Sequence, residues 1–353
     1  FMREVIFAIP GDLNTPTGGY RYDKRVIEEL RALGWSVQHL QLSSGFPSPS
    51  ERALAETAKI FSGISADALV MVDGLALGAI PLQTLKSLKA RLIALCHHPL
   101  AFETGLTTDR IDYLHRTERE ALSRAVATIA TSRSTAALLA REFNVAPEEL
   151  TVAEPGTEPA PRAKGDVFPP RLLSVGAITR RKGHDTLAIA LSKIRDLNWE
   201  WRIAGSTDRD TIAMQTLEKN IADGKIAQRT TLLGPLDDAG LEREYSSASL
   251  FVLPSHFEGY GMAFTEALAR GLPVVAGSGG ALVETVPRDA GVFVTPGNAG
   301  ELALTLRRLL TSPAEIAKRA DAAWEYAKKL PRWNDTARLI SDALAHASTK
   351  AAA

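Results

Sequence analysis

The sequence carries at residues 250–273 the stretch LFVLPSHFEGYGMAFTEALARGLP. Its first four residues are apolar and stop at a proline, which predicts a buried strand over Leu250–Leu253. A helix is predicted to begin near Gly261 and to end at Arg270, because a glycine and a proline follow it closely. The stretch is therefore a strand, a loop and a helix, the repeating unit of α/β proteins with parallel sheets.

The same unit recurs on both sides of this stretch. Short runs rich in Val, Ile and Leu alternate with helical periods, and they form two series separated by a proline-rich segment at residues 154–170. The first series predicts strands at Val5–Ile9, Val37–Leu42, Ala68–Val72, Leu92–Leu95, Ala127–Ala130 and Thr151–Ala153. The second predicts strands at Leu172–Val175, Trp201–Ala204, Thr230–Leu233, Leu250–Leu253, Val274–Ala276 and Val292–Val294.

These two series predict two doubly wound α/β domains, over residues 1–160 and 161–334, followed by a terminal amphipathic helix. Ligands of open α/β sheets bind outside the carboxyl ends of the strands. Two such domains facing each other would build one cleft from those loops, so we look for function in the loops.

Composition excludes several classes of protein. The 41 Lys and Arg residues balance 41 Asp and Glu residues, and no basic block stands out, so we expect no nucleic-acid partner. The single cysteine, Cys96, excludes an internal disulfide and a cysteine-based zinc site. No apolar run reaches the roughly 18 residues of a membrane span. We therefore expect a cytoplasmic protein.

Two glutamates and two glycines in the quoted stretch suggest a ligand site. Gly259 and Gly261 let the backbone approach a ligand closely, and free amides over Gly261–Phe264 at a helix start suit an anion such as a diphosphate. Glu266 lies about 7–8 Å further along the helix, near the distance from a diphosphate to a ribose. Glu258 could accept hydrogen bonds from sugar hydroxyls. Without further context, Glu258 and Glu266 would be interpreted as ordinary surface residues.

Three consecutive cations, Arg180–Lys182, follow the first strand of the second domain in a glycine-flanked loop. Arg181 can bind an anion in planar bidentate fashion and Lys182 as a point charge, so the loop could neutralise a diphosphate. A solvated basic turn is the alternative.

The first domain offers weaker signals. Gly18 and Gly19 precede a predicted helix, where their amides could meet a phosphate, or they belong to a flexible loop. His97 and His98 follow the strand Leu92–Leu95. Without further context they indicate a hydrogen-bonded turn rather than a metal site, because no third metal ligand is suggested nearby. Asp73 and Glu103 lie on neighbouring loops and could line an acceptor, although solvated loop residues are the simpler interpretation.

The quoted stretch resembles the Glu-x7-Glu signature of the retaining glycosyltransferases of family 4, also described as glycosyl transferases group 1. The match includes the Glu-Gly-aromatic-Gly loop, the Glu-Ala-Leu-Ala helix and the Gly-Leu-Pro-Val-Val-Ala that follows. Residues 174–185 resemble the same family's Val-Gly-x-x-x-x-Arg-Lys-Gly loop. One departure is Ala177, where many members carry Arg.

The resemblance implies the GT-B fold: two facing Rossmann-like doubly wound parallel-sheet domains with an interdomain cleft. The first would lie on the acceptor side and the second would bind the nucleotide-sugar donor. The final helix, about residues 335–353, would pack back on the first domain.

The implied activity is that of a hexosyltransferase of the EC 2.4 class. It would move a sugar, with retention, from a UDP- or GDP-sugar to an acceptor hydroxyl in glycan, glycolipid or polysaccharide biosynthesis. No metal or other cofactor is required by this scheme. Glu258, Arg181, Lys182 and His97 would serve catalysis, with His97 near the donor sugar. The implied donor-binding residues are Gly18, Gly19, Gly234, Gly259, Tyr260, Gly261, Met262, Ala263, Phe264 and Glu266.

Other functions stay open. A non-catalytic nucleotide-sugar-binding GT-B protein is favoured mildly by Ala177, and another GT-B enzyme, such as a sugar-nucleotide epimerase or a phosphorylase, would share the fold. An oxidoreductase is disfavoured because no dinucleotide fingerprint is present. The acceptor is open among glycans, lipid-linked acceptors and small molecules, and a lipid acceptor would bring peripheral contact with the inner face of a membrane.

Overall fold

A computed structural model describes residues 3–350. The chain divides into two compact units: one comprises residues up to Gly156 together with those from Pro331 onward, and the other comprises Thr157–Leu330. The predicted boundaries, after residues 160 and 334, fall slightly later in both cases.

The first unit contains a six-stranded parallel sheet in the order β2-β1-β3-β4-β5-β6. Its strands are β1 (Glu4–Pro10), β2 (Ser36–Leu42), β3 (Leu69–Asp73), β4 (Arg91–Cys96), β5 (Ala127–Ala130) and β6 (Leu150–Val152). Its helices, apart from the last of the chain, are α1 (Gly18–Ala32), α2 (Glu51–Ser62), α3 (Gly74–Leu77), α4 (Leu82–Leu85), α5 (Thr108–Leu122) and α6 (Arg133–Phe143).

The second unit repeats this architecture, with a parallel sheet in the order β12-β11-β10-β7-β8-β9. Its strands are β7 (Arg171–Val175), β8 (Glu200–Ala204), β9 (Thr230–Gly234), β10 (Leu250–Leu253), β11 (Val274–Gly277) and β12 (Gly291–Val294). Its helices are α7 (His184–Ser192), α8 (Thr211–Asp223), α9 (Asp238–Ser246), α10 (Met262–Ala269), α11 (Leu282–Thr285), α12 (Ala299–Leu310) and α13 (Pro313–Ala327).

Continuous apolar runs form the strands because helices cover both faces of each sheet. All five residues of β3 and all four of β10 are buried. Helix α1 shows the amphipathic counterpart: the Thr17 side chain caps its first turn by accepting a hydrogen bond from the Tyr20 amide, and Val26 and Leu30 lie buried on its inner face.

The last helix, α14 (Trp333–Ala347), belongs to the first unit, as predicted from the resemblance. Trp35 Nε1 donates to Ser341 Oγ at 2.9 Å, and Thr336 Oγ1 donates to the Glu154 carbonyl at 2.6 Å. A Cβ on Gly156 would lie 2.2 Å from the Trp333 nitrogen. This close packing holds the chain around Gly156 in the first unit and explains why the boundary precedes the predicted one. The final helix was predicted to extend to about residue 353, and residues 351–353 lie outside the part of the chain that the structure describes.

Each sheet has one point at which the strand order reverses. In the first unit the chain runs from β1 to β2 on one side and then crosses to β3, and in the second it runs from β7 through β9 before crossing to β10. Ligands of open α/β sheets bind at such switch points, at the carboxyl ends of the strands. The pairs β1/β3 and β7/β10 therefore define two places where a site is expected. Among the helices of residues 3–350, none has both the length and the apolar character needed to cross a membrane.

Candidate active site

In the second unit, the predicted cations Arg181 and Lys182 contact the predicted loop glutamate, Glu258, at the switch point. Arg181 and Lys182 lie in a short 3-10 turn after β7, and Glu258 follows β10, the strand that pairs with β7. Lys182 Nζ donates to Glu258 Oε1 at 2.7 Å, and Arg181 Nη1 donates to Glu258 Oε2 at 3.1 Å. Ser255 Oγ donates to the same Oε1 at 2.7 Å. We call Arg181, Lys182 and Glu258 the cationic cluster.

The charges of the cationic cluster are fixed by its surroundings. Glu258 is only 5% exposed, and burial alone would raise its pKa, but Lys182 and Arg181 lower the pKa to about 2. Glu258 is therefore ionised at neutral pH and cannot serve as a proton donor. The three residues of the cationic cluster together carry one net positive charge, which suits an anionic ligand.

Close backbone packing holds these loops in place. Gly183 has φ +70°, and a Cβ there would lie 2.4 Å from the Pro254 carbonyl oxygen, so only glycine fits. The segment after β11 packs equally tightly, since a Cβ on Gly279 would lie 1.8 Å from the His256 carbonyl oxygen. The Ala281 amide donates to the Glu258 carbonyl at 2.9 Å. The family-like glycines therefore hold the backbone that carries Glu258.

A buried histidine lies directly behind the cationic cluster. His184 begins α7, is 1% exposed, and neither of its ring nitrogens has a partner among residues 3–350. Burial, reinforced by the charge of Lys182, lowers the pKa of His184 to about 3, so the ring is neutral at physiological pH.

The start of α10 agrees with part of the predicted anion site. The Met262 and Ala263 amides have no protein acceptor within residues 3–350, as expected for the first turn of a helix. The Phe264 amide does not fit the prediction of free amides, because it donates to the Gly261 carbonyl at 2.9 Å. The Tyr260 and Phe264 side chains are buried, at 7% and 0% exposure. Any contact of these two residues with a donor would therefore involve the backbone.

Two further predicted residues lie in the second unit. Glu266 is half-buried on α10, and its Oε2 accepts a hydrogen bond from Tyr245 Oη at 3.0 Å. Tyr245, on α9, was not predicted from the sequence, because a single tyrosine among helical residues gives no sign of its partner. Gly234 ends β9 with φ +67°, and a Cβ there would meet nothing within 4 Å. Gly234 thus leaves room beside its backbone.

In the first unit, the switch point gathers a cluster of opposite composition. His97, directly after β4, places Nε2 3.0 Å from Asp23 Oδ1 and 3.0 Å from Asp73 Oδ2. Asp23 lies on α1, and Asp73 ends β3 and caps α3 by accepting a hydrogen bond from the Leu75 amide at 2.8 Å. We call Asp23, Asp73 and His97 the acidic cluster. The predicted Gly19 is adjacent, since a Cβ there would lie 3.6 Å from the His97 ring.

Several sequence expectations for this unit are revised. Gly18 and Gly19 are the first residues of α1, not a loop before it. Asp73 is 3% exposed, so the solvated interpretation is wrong for it, whereas Glu103 is exposed. Asp23 was missed, although its signal was present: it lies three, four and seven residues before apolar positions of α1 and therefore falls on the buried stripe.

The acidic cluster also has the spacing that a single cation would need, because its three atoms lie within 4.8 Å of one another. The two 3.0 Å separations from Nε2 equally match N–H···O hydrogen bonds, so a proton accounts for the same contacts. The expectation that no metal is required stays a prediction.

Comparison with known proteins agrees with this architecture. Residues 169–312 match the family described as "Glycosyl transferases group 1". The "MMP alpha-(1->4)-mannosyltransferase" of Mycolicibacterium hassiacum is 27% identical over 312 residues, which cover 84% of this chain and 74% of that protein. Of the other curated relatives, the chain spans less than two thirds of the length, from 35% to 64%.

Solved structures share the fold at low identity. Sucrose-phosphate synthase from Thermosynechococcus elongatus superposes with a TM-score of 0.81 at 21% identity, covering 97% of this chain and 98% of that chain. HepE from Anabaena, in complex with UDP-glucose, gives a TM-score of 0.76 at 16% identity, covering 97% and 99%.

Two six-stranded parallel α/β sheets with these neighbours show the GT-B fold. The matched family is the one that the sequence resemblance implied, and the similarity to named glycosyltransferases supports the transferase class.

Proposed function

We propose that this glycosyltransferase transfers a hexose from a UDP- or GDP-sugar to an acceptor hydroxyl with retention at the anomeric carbon. The observation that carries the proposal is the cationic cluster, where two cations exceed one ionised carboxylate at the β7/β10 switch point. The excess charge and the open Met262 and Ala263 amides are suited to bind the diphosphate of the donor.

The same groups would act on the transition state. Cleavage of the sugar–phosphate bond leaves negative charge on the departing diphosphate, and preorganised cations and amides stabilise that charge. Arg181 and Lys182 are already fixed by hydrogen bonds to Glu258. They would therefore need little reorganisation when the donor binds.

Glu258 would orient the sugar. Its pKa of about 2 keeps it ionised, so it accepts hydrogen bonds from sugar hydroxyls but gives no proton to the leaving group. The proton of the acceptor hydroxyl would instead pass to an oxygen of the departing phosphate, on the face of the sugar that the acceptor approaches. Attack on this face gives retention.

Glu266 would bind the ribose of the nucleotide. The Tyr245 hydroxyl holds its carboxylate at 3.0 Å. The acceptor is a glycan, a lipid-linked acceptor or a small molecule, in glycan, glycolipid or polysaccharide biosynthesis. Mannose is the first sugar to test because the M. hassiacum relative is named a mannosyltransferase, and glucose is the second because HepE was solved with UDP-glucose.

The first experiment is a thermal-shift screen of the purified protein against UDP, GDP, ADP and their sugars. A ligand that binds only the folded state raises the midpoint in proportion to its affinity and concentration. We expect a shift with UDP or GDP that is lost in Glu266→Ala and kept in Glu218→Ala, an exposed acid on α8. No shift with any nucleotide would contradict the proposal.

The stereochemical part needs a separate test. With the donor identified, NMR of the early product of a transfer reaction reports the anomeric configuration directly. The same configuration as in the donor supports retention. An inverted product would overturn the same-face mechanism while leaving donor binding intact.

A further inference from the structure

The acidic cluster contains a histidine whose inner nitrogen faces two carboxylates from different elements. His97 Nε2 is 3.0 Å from Asp23 Oδ1 and 3.0 Å from Asp73 Oδ2. Asp23 is 1% and Asp73 is 3% exposed, whereas the His97 side chain is 24% exposed. One edge of the ring therefore contacts two buried carboxylates, and the opposite edge reaches the surface at the β1/β3 switch point.

This geometry fixes the position of one ring proton. Burial and the neighbouring Asp73 raise the pKa of Asp23 to about 7, whereas His97 opposes that rise. A carboxylate accepts hydrogen bonds, so the ring nitrogen that faces both acids is the one that carries an N–H, and that nitrogen is Nε2. Nδ1 has no partner among residues 3–350. The atom that His97 presents outward is therefore Nδ1.

The charge state of the ring decides what Nδ1 can do. In a neutral ring with the proton on Nε2, Nδ1 is an acceptor, and in an imidazolium it is a donor. Burial lowers the pKa of His97, but Asp23 and Asp73 outweigh that effect and raise the pKa to about 10. Tyr22 packs edge-on against the ring, with its hydroxyl directed to the Ala153 carbonyl. The charged groups that face the ring are thus both acidic.

We propose that Asp23 and Asp73 are positioning residues that hold His97 as an imidazolium, with Nδ1–H directed outward as an obligate hydrogen-bond donor. His97 would then donate to an oxygen of a sugar or phosphate group and could not act as a general base. This inference deepens the proposed function and rests on it for the identity of the acceptor oxygen. The protonation state itself does not depend on any ligand.

The test is an NMR titration of ¹⁵N-histidine-labelled protein without nucleotide, with the His97 signal assigned by its loss in His97→Gln. In the wild type, His97 should stay doubly protonated beyond pH 8. Asp73→Asn and Asp23→Asn keep an acceptor for Nε2–H but remove a charge, so each should lower the His97 pKa by about 1–3 units. Asp67→Asn, at an exposed acid in the same unit, should leave it unchanged.

Two outcomes would overturn the proposal. A wild-type His97 that titrates near pH 6.5 would show that the carboxylates do not hold the proton, even if the Asp variants failed to fold. A divalent cation is the other competitor for the three atoms. Saturable binding of Mn²⁺ or Zn²⁺ that removes the imidazolium signal, and is lost in Asp73→Asn, would assign the cluster to a cation instead.

Kinetics would separate a positioning role from a structural one. Once a donor is known, Asp73→Asn should lose kcat/KM as pH rises through its lowered His97 pKa and recover it at lower pH, whereas the wild type should stay flat there. A loss equal at all pH values would indicate structural damage alone. Since the NMR titration needs no substrate, failure of this inference and failure of the proposed function are distinguishable.

Discussion

The two units place a charged cluster at the same position of the same architecture but with opposite composition. At the β1/β3 switch point, two carboxylates surround one histidine; at the β7/β10 switch point, two cations surround one carboxylate. The parallel sheet thus determines where a site forms, and a few side chains determine the sign of its charge. The cationic cluster suits the diphosphate, and the acidic cluster suits the control of a proton.

Removing the net positive charge of the cationic cluster should lower kcat more than any other change considered below. Lys182→Ala leaves Arg181 and Glu258 as a neutral pair, so kcat should fall about 10²–10³-fold, as when a preorganised electrostatic contact is lost. Arg180→Ala is the matched control, because Arg180 lies in the same turn but is exposed. Steady-state transfer assays check this. Equal losses of kcat in Lys182→Ala and Arg180→Ala would contradict a specific role for Lys182.

The stabilities of the two units should depend on pH in opposite directions. In the second unit, His184 is held neutral with a pKa of about 3, against about 6.5 for an exposed histidine. The unfolded chain binds more protons over that window, so stability should fall as pH drops from 6.5 toward 3. The slope is at most about 1.4 kcal/mol per pH unit for the group, and Glu258 adds to the loss below about 4.5.

In the first unit the sign is reversed. The pKa of His97 is raised to about 10 by its carboxylates, so its contribution is complete below 6.5 and is lost as pH rises toward 10. Burial also raises the pKa of Glu118 to about 8, which favours the protonated folded state and again costs stability as pH rises. Hydrogen exchange by mass spectrometry, corrected for intrinsic rates, should show the second unit opening more at pH 5 and the first at pH 9. If the same unit opened more at both pH values, the opposite pH dependence of the two units would be contradicted.

Neutralising the one acid of the cationic cluster should separate binding from transfer. Glu258→Gln raises the excess charge from one to two, so UDP or GDP should bind up to about 10-fold more tightly at low salt, and the gain should shrink as salt screens it. Transfer should slow, since the amide orients sugar hydroxyls less well than the carboxylate. Calorimetry at two salt concentrations and a transfer assay measure both. Weaker nucleotide binding would contradict the assignment of the cations to the diphosphate.

The smallest effect concerns the unpartnered histidine behind the cationic cluster. His184→Leu removes two buried nitrogens that lack partners, so the second unit should gain about 1 kcal/mol at pH 7 and more at pH 5. Thermal unfolding at both pH values measures this. A destabilised variant at pH 5 would show that the imidazole serves a role that the structure does not reveal.

Much of the fold could be predicted from the sequence because the strands are buried on both faces. The predicted Leu250–Leu253 and Ala127–Ala130 match β10 and β5, since uninterrupted apolar runs mark such strands directly. The domain boundary was less accurate, because it depends on Gly156 packing against Trp333, far away in sequence. Long-range packing of this kind leaves no local pattern.

The site shows the same division. Arg181, Lys182 and Glu258 were predicted because their motifs are compact, and the structure joins them by hydrogen bonds. Asp23 and Asp73 form a cluster only through their contacts with His97, which is 74 residues from Asp23 in the sequence. Short segments predict local motifs, whereas a cluster assembled from three separate elements requires the tertiary structure.

Hydrogen exchange of the whole chain, with and without a saturating nucleoside diphosphate that carries no sugar, shows directly which unit binds the diphosphate. We predict that protection appears in the second unit, in peptides over residues 176–184 and 254–266, and not in the first-unit peptide over residues 17–25. Protection of the first-unit peptide with none in the second would contradict the assignment of the diphosphate to the cationic cluster.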